Sequence, residues 1–303
     1  MTIKASIVLG YECNCSCTFC YPEYKRKEGI RSNPTIEVMK QLKEGRRNGA
    51  TMVDFLGGEP TIRKDLTSIV AFAKQIGYDE ISITTNGKML SYREYAEKLV
   101  DAGLNHVIFS IHGIGRIHDE LTRVDGSFEQ LRQAMQNIRS IDKKTFIATN
   151  TVMTRQNAPE LLNIAIFNTE NGVNCQDFIF PHPRGGSWYN FEETVPTLTE
   201  IEKYVEKLLS FSKKNRVNIA VRYLPVCYLF GMERTHLSEL RTSLKELHLG
   251  PEFADKDVKT NRIANGKVKG PQCVSCLKND ICEGIWKEYA FKRGVEELRP
   301  IVS

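Results

Sequence analysis

The chain has 303 residues, of which 41% are hydrophobic and 26% charged, and its formal net charge is +5. This length accommodates one large α/β domain with a smaller appendage, or two modest domains. No apolar run approaches the roughly 20 residues that a membrane span needs. The charge excess is mild, and acidic residues are interleaved with the basic ones, which favours a solvated surface over a nucleic-acid footprint.

The chain begins with a short apolar run in MTIKASIVLGYEC, and no small-residue cleavage site follows it. This run is typical of a first β-strand and not of a signal peptide. We therefore expect a cytoplasmic protein that does not associate with a membrane.

Short β-rich runs then alternate with segments of helical periodicity as far as about residue 215. The predicted strands cover residues 4–10, 52–57, 80–85, 106–111, 145–153 and 177–181. Ser91 with Glu94 and Ser127 with Gln130 predict capping boxes for two of the helices between them. The alternation predicts parallel strands joined by right-handed crossovers, in an α/β fold that forms a partial (β/α)6 TIM-like barrel. In such folds the chemistry lies on loops at the C-terminal ends of the strands.

The pattern changes beyond about residue 220. Residues 224–282 are irregular and contain four glycines and four cysteines. Such a stretch buries little core by itself, so a bound metal cluster would supply the missing constraint. We predict a barrel domain over residues 1–220 and a small cluster-binding module over residues 221–303.

The nine cysteines are crowded towards the two ends of the chain. Cys13, Cys15, Cys17 and Cys20 follow the first predicted strand within eight positions, and no cysteine occurs between residues 20 and 175. In a reducing compartment, such groups are more typical of metal ligands or reactive thiols than of disulfides.

Cys13, Cys17 and Cys20, called the first cysteine group below, have the spacing C-x3-C-x2-C. Three thiolates from one short loop can bind three irons of a [4Fe–4S] cube and leave the fourth iron open to a ligand. Zinc sites more often combine C-x2-C pairs across a longer span, which this stretch lacks. Cys15 departs from the three-ligand pattern. We expect it to be small, buried and turned away from the cube, with competition for iron as the alternative.

Four further motifs accompany this loop, each near the end of a predicted strand or the start of a helix: GGEP (57–60), TTNG (84–87), FSIHG (109–113) and HDELTRVDGSFE (118–129). Together with Phe19 and Tyr21 beside the last cysteine, they resemble the radical S-adenosylmethionine (SAM) superfamily over about residues 5–155. The resemblance implies reductive cleavage of SAM to a 5′-deoxyadenosyl radical that abstracts hydrogen from a substrate. It also implies a flavodoxin- or ferredoxin-type reductant.

The same resemblance implies contacts to SAM. Gly57 and Gly58 would allow close backbone approach, and Glu59 would accept a hydrogen bond from the amino group. Arg123 would pair with the carboxylate, because a guanidinium matches its geometry. The other candidates lie beside the cluster or at strand ends, with a simple structural role as the alternative for each: Tyr21 for adenine, and Asn86, Ser110 and Asn150 for ribose. No catalytic side chain is assigned, because the radical arises on the cofactor.

The second cysteine group comprises Cys227, Cys273, Cys276 and Cys282. The spacing C-x2-C-x5-C, followed by a glycine and a tyrosine, resembles the auxiliary-cluster module of the SPASM or twitch type. The resemblance implies one auxiliary [4Fe–4S] cluster, closed if all four cysteines bind it and open to substrate if Cys227 does not. Four cysteines also suit tetrahedral zinc, which is the alternative.

Cys175 and His182 lie in CQDFIFPHPRGGSW, near the predicted end of the sixth strand. The candidates for substrate contact are polar residues expected near this rim: His112, His182, Arg184 and Arg222. Without further evidence, each is also compatible with a role in packing or on the surface.

The function predicted from these residues is that of a radical SAM oxidoreductase or maturase that modifies a peptide or protein. This prediction is only slightly preferred over dehydrogenation or rearrangement of a small molecule, such as a sugar or a cofactor precursor. Modification of tRNA is a further alternative, although nucleic acid is a less favoured partner. A non-enzymatic iron–sulfur or zinc scaffold is the alternative of a different kind.

Overall fold

The computed structural model describes residues 2–241 and 244–302. Its strands are β1 (Ile3–Val8), β2 (Met52–Leu56), β3 (Glu80–Thr85), β4 (His106–Ser110), β5 (Phe146–Val152), β6 (Cys175–Ile179), β7 (Ile219–Arg222), β8 (Lys245–Leu249), β9 (Ala254–Asp255), β10 (Lys267–Val268) and β11 (Ile285–Trp286). Nine of them form one sheet in the order β7-β6-β5-β4-β3-β2-β1-β8-β9. Neighbours from β7 to β8 run parallel, and β9 is antiparallel to β8.

Helices connect the successive strands. They are α1 (Glu23–Lys27), α2 (Thr35–Arg47), α3 (Leu66–Gln75), α4 (Arg93–Ala102), α5 (Arg116–Thr122), α6 (Ser127–Ile141), α7 (Leu161–Glu170), α8 (Gly186–Tyr189), α9 (Phe191–Thr194), α10 (Leu198–Asn215), α11 (Glu233–His236), α12 (Ser238–Arg241), α13 (Val258–Gly266) and α14 (Lys287–Arg293). Within the described ranges, no helix combines the length and apolar character that crossing a bilayer requires.

The alternation of side chains along β1 separates the two faces of the sheet. Ala5 and Ile7 are fully buried in the hydrophobic core. Lys4 and Ser6 point to the opposite face, where both contact Glu246 of β8. Successive residues of a strand face opposite sides, so one face packs in the apolar core while the other is polar. The predicted partial barrel of parallel strands is confirmed, as an open sheet whose edge strands are β7 and β9.

All six strands predicted from the sequence are present, with ends shifted by at most two residues. The sequence did not predict β7, β8 and β9. β8 is five residues long, and it alternates charged and apolar side chains in KELHL. A strand this short, within a stretch rich in glycine and charge, carries little periodic signal.

The two predicted capping boxes do not form. Ser91 lies in a short 3-10 turn before α4, and Ser127 is inside α6, where its hydroxyl donates to Asp119 Oδ1 at 2.9 Å. A capping box forms instead at the start of α10. There Thr197 accepts from the backbone of Glu200, and the Glu200 carboxylate accepts from the backbone of Thr197.

The sheet crosses the predicted division of the chain near residue 220. β7 spans this position, and β8 lies beside β1 in parallel register, from Ile3 opposite Lys245 to Ile7 opposite Leu249. The part of the chain after β9 contributes the separate antiparallel pair β10–β11, with α14 directly after it. The C-terminal portion therefore supplies both the strands β8 and β9 of the main sheet and a small separate unit.

Candidate active site

The first cysteine group lies on the loop between β1 and α1 (residues 9–22, the cluster loop). Its three thiols are half-buried. Burial raises the pKa of Cys17 and of Cys20, and the charge of neighbouring cysteines adds to both shifts, whereas a hydrogen bond with Cys15 lowers the pKa of Cys13. The C-terminal end of α5 holds this loop through the backbone. Ser16 N–H donates to the Thr122 carbonyl at 3.1 Å, and Thr18 N–H donates to the Leu121 carbonyl at 2.9 Å.

The GGEP motif packs directly against the cluster loop. Gly58 N–H donates to the Gly10 carbonyl, and Glu59 N–H donates to the Glu12 carbonyl, both at 2.8 Å. A Cβ atom on Gly57 would lie 2.2 Å from the Gly10 oxygen, and one on Gly58 would lie 2.1 Å from the Glu12 oxygen. The close neighbour of these glycines is the backbone of the cluster loop, and their contact with SAM stays a prediction.

Glu59 is almost fully buried and is bonded within the protein. Its carboxylate accepts from Thr61 N–H at 3.0 Å, from the Thr85 hydroxyl at 2.7 Å and from Asn86 N–H at 2.7 Å. Burial raises the pKa of this carboxyl, although the hydrogen bonds oppose that shift. Glu59 thus joins the C-terminal ends of β2 and β3. Its contact with the amino group of SAM stays a prediction.

A second glycine pair clamps the cluster loop from another side, and the sequence analysis did not identify it. Gly186 N–H donates to the Cys20 carbonyl at 2.8 Å, and the Asn190 side chain donates to the Thr18 carbonyl at 3.0 Å. A Cβ atom on Gly186 would lie 2.7 Å from Cys20 N. The signal in the sequence was the pair Gly185-Gly186 in the loop after β6, although this pair begins six residues beyond the end of its strand, whereas the glycines of GGEP follow β2 directly.

Cys15 is buried, as expected, but it lies beside Cys13 instead of facing away. Its backbone N–H donates to Cys13 Sγ at 3.3 Å. The Asn86 side chain donates to Cys15 Sγ at 3.3 Å and to Asn14 Oδ1 at 2.7 Å. Asn86, a predicted SAM ligand, therefore also ties the end of β3 to the cluster loop. Cys15 supports the position of Cys13.

The electrostatic environment of the thiols depends on Arg26. Burial raises the pKa of Cys20 to about 12 and also raises that of Cys17, while the charge of Arg26 opposes both shifts. Arg26 also donates to the Cys15 carbonyl at 3.3 Å. A bound metal deprotonates a coordinating thiol outright. Arg26 would then face the negative charge of the liganded loop. Its signal in the sequence was the basic run over residues 25–27.

The remaining predicted SAM contacts lie around the same end of the sheet. Ser110 is the last residue of β4, and Asn150 lies two residues before the end of β5. The two residues lie opposite each other in the sheet. Arg123 follows α5 directly, is exposed, and has a left-handed backbone with φ 58°. Tyr21 is 42% exposed beside Cys20. The structure brings these residues to the rim of the cluster loop, and their roles stay predictions.

The second cysteine group is brought together from distant parts of the chain. Cys227 follows β7, and the other three lie between β10 and α14, yet all four line one cavity together with Lys269 and Arg299. Burial raises the pKa of the Cys227 thiol to about 11. Across residues 2–241 and 244–302, no three His, Cys, Asp or Glu side chains converge tightly enough to bind a single metal ion. A cube needs no such convergence, because each thiolate binds a different iron.

His112 belongs to the core and not to the substrate rim. It is 5% exposed, its ring Nδ1 accepts from Val152 N–H at 3.2 Å, and its ring packs against Phe19. Burial holds its pKa well below the usual range. The structure therefore gives His112 a packing role at the ends of β4 and β5, where the sequence suggested substrate contact.

His182 and Arg184 connect the barrel to the C-terminal unit. The His182 ring stacks on Trp286 with centroids 3.8 Å apart and planes inclined by 2°. Arg184 Nε donates to Glu288 Oε1 at 2.7 Å, and His182 Nε2 lies 3.4 Å from the other oxygen of Glu288. The carboxylate thus bridges two residues of the loop that clamps Cys20.

Replacement of Glu288 by glutamine is expected to make the free energy of unfolding less dependent on pH, with a smaller decrease in acid than in the unchanged protein. Burial raises the pKa of Glu288, but hydrogen bonds from His182 and Arg184 outweigh it and lower this pKa to about 2. The ionised Glu288 carboxylate therefore stabilises the folded protein at pH values above its unfolded pKa of 4.5. This stabilisation is lost as the pH falls towards the folded pKa of about 2. Because the carboxylate is only half-buried, solvent screening reduces this contribution to about 1–2 kcal/mol. Urea unfolding at pH 6 and pH 3 measures the difference, and the exposed Glu296→Gln variant is the control. An equal loss in both variants would contradict the prediction.

The polar inner face of the sheet carries charges of both signs. Arg222 at the end of β7 lies 3.6 Å from Asp177 of β6, and Lys4 lies 3.3 Å from Glu246. These four side chains are only 20–30% exposed. Arg222 is therefore the substrate candidate that faces the interior of the barrel.

Cys175 is the half-buried first residue of β6.

An open sheet of parallel strands, with three thiols on the loop after its first strand, defines an iron–sulfur enzyme of the partial-barrel class. The profile of the Radical SAM superfamily matches residues 7–167. The chain belongs to this superfamily, and it is an enzyme that uses SAM and a [4Fe–4S] cluster.

Two sequence relatives carry the name probable GTP 3′,8-cyclase. The protein of Sulfurisphaera tokodaii is 30% identical over 302 residues, which cover 97% of this chain and 88% of the relative. That of Saccharolobus solfataricus is 32% identical over 203 residues, or 67% of this chain. The alignment spans 64% of the latter protein, slightly less than two thirds.

Two solved structures share the fold. Streptococcus suis SuiB bound to SAM has a TM-score of 0.70 at 16% identity, with 99% of this chain and 76% of that chain covered. The enzyme anSMEcpe bound to SAM has a TM-score of 0.68 at 14% identity, with 99% and 93% covered. At these identities the likeness concerns the fold alone.

Proposed function

We propose that the first cysteine group binds the SAM-cleaving cluster and that the second group holds one auxiliary [4Fe–4S] cluster. The observation that carries the second part is the single cavity lined by all four cysteines, which come from two segments more than 40 residues apart. We also propose that the chain is divided into a barrel domain over residues 1–220 and an auxiliary module over residues 221–303. In this division β8 belongs to the module by sequence and to the main sheet by pairing.

When bound, the reduced cluster supplies the electron that cleaves SAM to a 5′-deoxyadenosyl radical. The residues of this chain hold, orient and shield the reactants. Gly58 and Gly186 fix the cluster loop through its backbone, while Asn86 and Cys15 support Cys13. In this proposal Arg123, exposed directly after α5, pairs with the carboxylate of SAM, because a guanidinium matches its geometry. No side chain needs to act as a general base for the first step.

For the substrate, we propose a small polar molecule that enters the charged interior of the barrel, with GTP as the first compound to test. The name of the relatives that cover almost the whole chain supports this choice. The cations Lys4 and Arg222 on the inner face are compatible with an anionic ligand. The peptide substrate that the sequence slightly favoured has no support from these relatives, and it becomes the alternative in the test.

The test is anaerobic reconstitution with iron and sulfide, followed by reduction with dithionite in the presence of SAM. About eight irons per chain with release of 5′-deoxyadenosine supports both clusters. About four irons per chain, with zinc retained, would contradict the auxiliary iron–sulfur cluster. An increase in 5′-deoxyadenosine formation on addition of GTP, with consumption of the nucleotide, supports GTP as the substrate. Stimulation by a peptide library and not by GTP overturns it. Absence of SAM binding overturns the whole proposal.

A further inference from the structure

A surface of aromatic and basic side chains lies over the cluster loop. Tyr21 directly follows Cys20, and its ring meets that of Tyr24 at right angles with centroids 6.0 Å apart. Lys27 of the same short helix places its ammonium 4.2 Å from the ring centroid of Tyr189. Lys292 lies 4.6 Å from the ring of the neighbouring Trp188. These six residues are called the aromatic–basic patch below: Tyr21, Tyr24, Lys27, Trp188, Tyr189 and Lys292.

Several aromatic rings of the patch are exposed to solvent, where they add little to the hydrophobic core. Tyr21 is 42% exposed and Tyr189 is 55% exposed. Phe291, which packs on Trp188 at its border, is 79% exposed. Exposed aromatic groups that adjoin one another mark interaction sites more often than scattered single residues do. The rings here come from three separate segments, so their meeting is a property of the fold.

The patch is attached to the loop that holds the cluster. Tyr189 and Trp188 belong to α8, whose first residue, Gly186, donates its N–H to the Cys20 carbonyl at 2.8 Å. Tyr21 and Lys27 flank Cys20 on its C-terminal side. The patch is therefore joined to the backbone of the cluster loop at Cys20, while Gly58 and Asn86 hold the same loop from the ends of β2 and β3.

The charge of the patch is predominantly positive. Lys27 pairs with Glu23 within α1 at 2.9 Å, and Arg184 pairs with Glu288. Lys292 is exposed and makes no ion pair within the described part of the chain. Positive charge around exposed aromatic rings favours a partner with a negative surface, because complementary charge steers encounter and orientation.

We propose that the aromatic–basic patch is the docking surface for an acidic one-electron carrier protein that reduces the cluster of the first cysteine group. The proposal rests on the proposed cluster and names the partner of that site. In the step, the carrier is oxidised by one electron and the cluster is reduced by one electron, and no bond is made or broken in either protein. Transient electron-transfer complexes use small surfaces below about 1,200 Å², so a docking site of this kind needs only a limited patch.

Flavodoxin, with NADPH and its reductase, is the probe for this proposal. The double variant K27E/K292E is expected to lower the rate of 5′-deoxyadenosine formation driven by flavodoxin about tenfold, because like charges then oppose docking. With dithionite, which needs no docking, its rate should equal that of the unchanged protein. The variant Y189S should show the same split. The control K213E/K214E reverses two exposed charges at the end of α10, outside the patch, and should leave both rates unchanged.

Binding of flavodoxin to the immobilised protein gives a readout that does not depend on SAM cleavage. Affinity for the unchanged protein should fall as salt rises and should be about tenfold weaker in K27E/K292E. Equal loss of both rates, or unchanged flavodoxin binding, would overturn the docking site. Loss of binding to a 20-nucleotide RNA or to a peptide, with flavodoxin unaffected, would overturn it in favour of that ligand. If dithionite yields no deoxyadenosine in the unchanged protein, the proposed function fails, and the binding data still decide the docking site.

Discussion

Replacement of Cys13, Cys17 and Cys20 together by alanine is expected to abolish 5′-deoxyadenosine formation and to halve the iron content, from about eight to about four per chain. The three thiolates are the only protein ligands that the proposed SAM cluster has, so their loss leaves no cluster to deliver an electron. Iron assay and chromatography of the nucleoside products, after anaerobic reconstitution, provide the measurements.

The matched control for this triple variant is Cys175→Ala, which removes a half-buried thiol outside both cysteine groups. Its iron content and its activity should be those of the unchanged protein. Persistence of eight irons in the triple variant would contradict the ligand assignment. Loss of all eight would show that the two cysteine groups do not bind their metal independently.

Replacement of Gly186 by alanine is expected to displace the cluster loop and to lower the occupancy of the SAM cluster, while the auxiliary cluster is retained. The new methyl group would lie 2.6 Å from the Thr18 carbonyl oxygen and 2.7 Å from Cys20 N. Both neighbours are backbone atoms, which cannot rotate away as a flexible side chain would. Forcing a methyl group into such a contact typically costs 1–3 kcal/mol.

Iron content and the unfolding midpoint in urea test the Gly186 prediction. The control is Gly126→Ala, where an added Cβ meets no atom within 4 Å. Its left-handed backbone, with φ 76°, makes alanine unfavourable by about 1 kcal/mol without touching the cluster loop. Gly186→Ala should lose iron and Gly126→Ala should not. Full iron in both variants would refute the clamping role of Gly186.

Much of the fold could be predicted from local patterns. Six parallel strands were visible as β-rich runs, because each alternates with a helical segment that forces the crossover. The cluster loop was visible because three cysteines at C-x3-C-x2-C spacing carry their chemistry in the sequence. The glycines of GGEP indicated a close approach, although the sequence could not show that the approaching backbone is that of Gly10 and Glu12.

The features that escaped prediction depend on contacts between distant segments. Gly186 acts on Cys20, a residue more than 160 positions away, and no local pattern reports that pair. Glu59 looked like a ligand, but its carboxylate is engaged by Thr61, Thr85 and Asn86, which only the arrangement of β2 beside β3 reveals. His112 looked like a rim residue because it follows β4, but its ring turns into the core.

Because β8 pairs with β1, the main sheet can form completely only late in the synthesis of the chain. Ser6 and its partner Glu246 are 240 positions apart, so β1 leaves the ribosome with one side unpaired until the last fifth of the chain follows. An unpaired strand edge is a template for association with other chains. A fragment ended near residue 220 would keep that edge permanently open. The cluster loop directly follows β1, so the sheet that carries this loop is complete only once β8 has joined it.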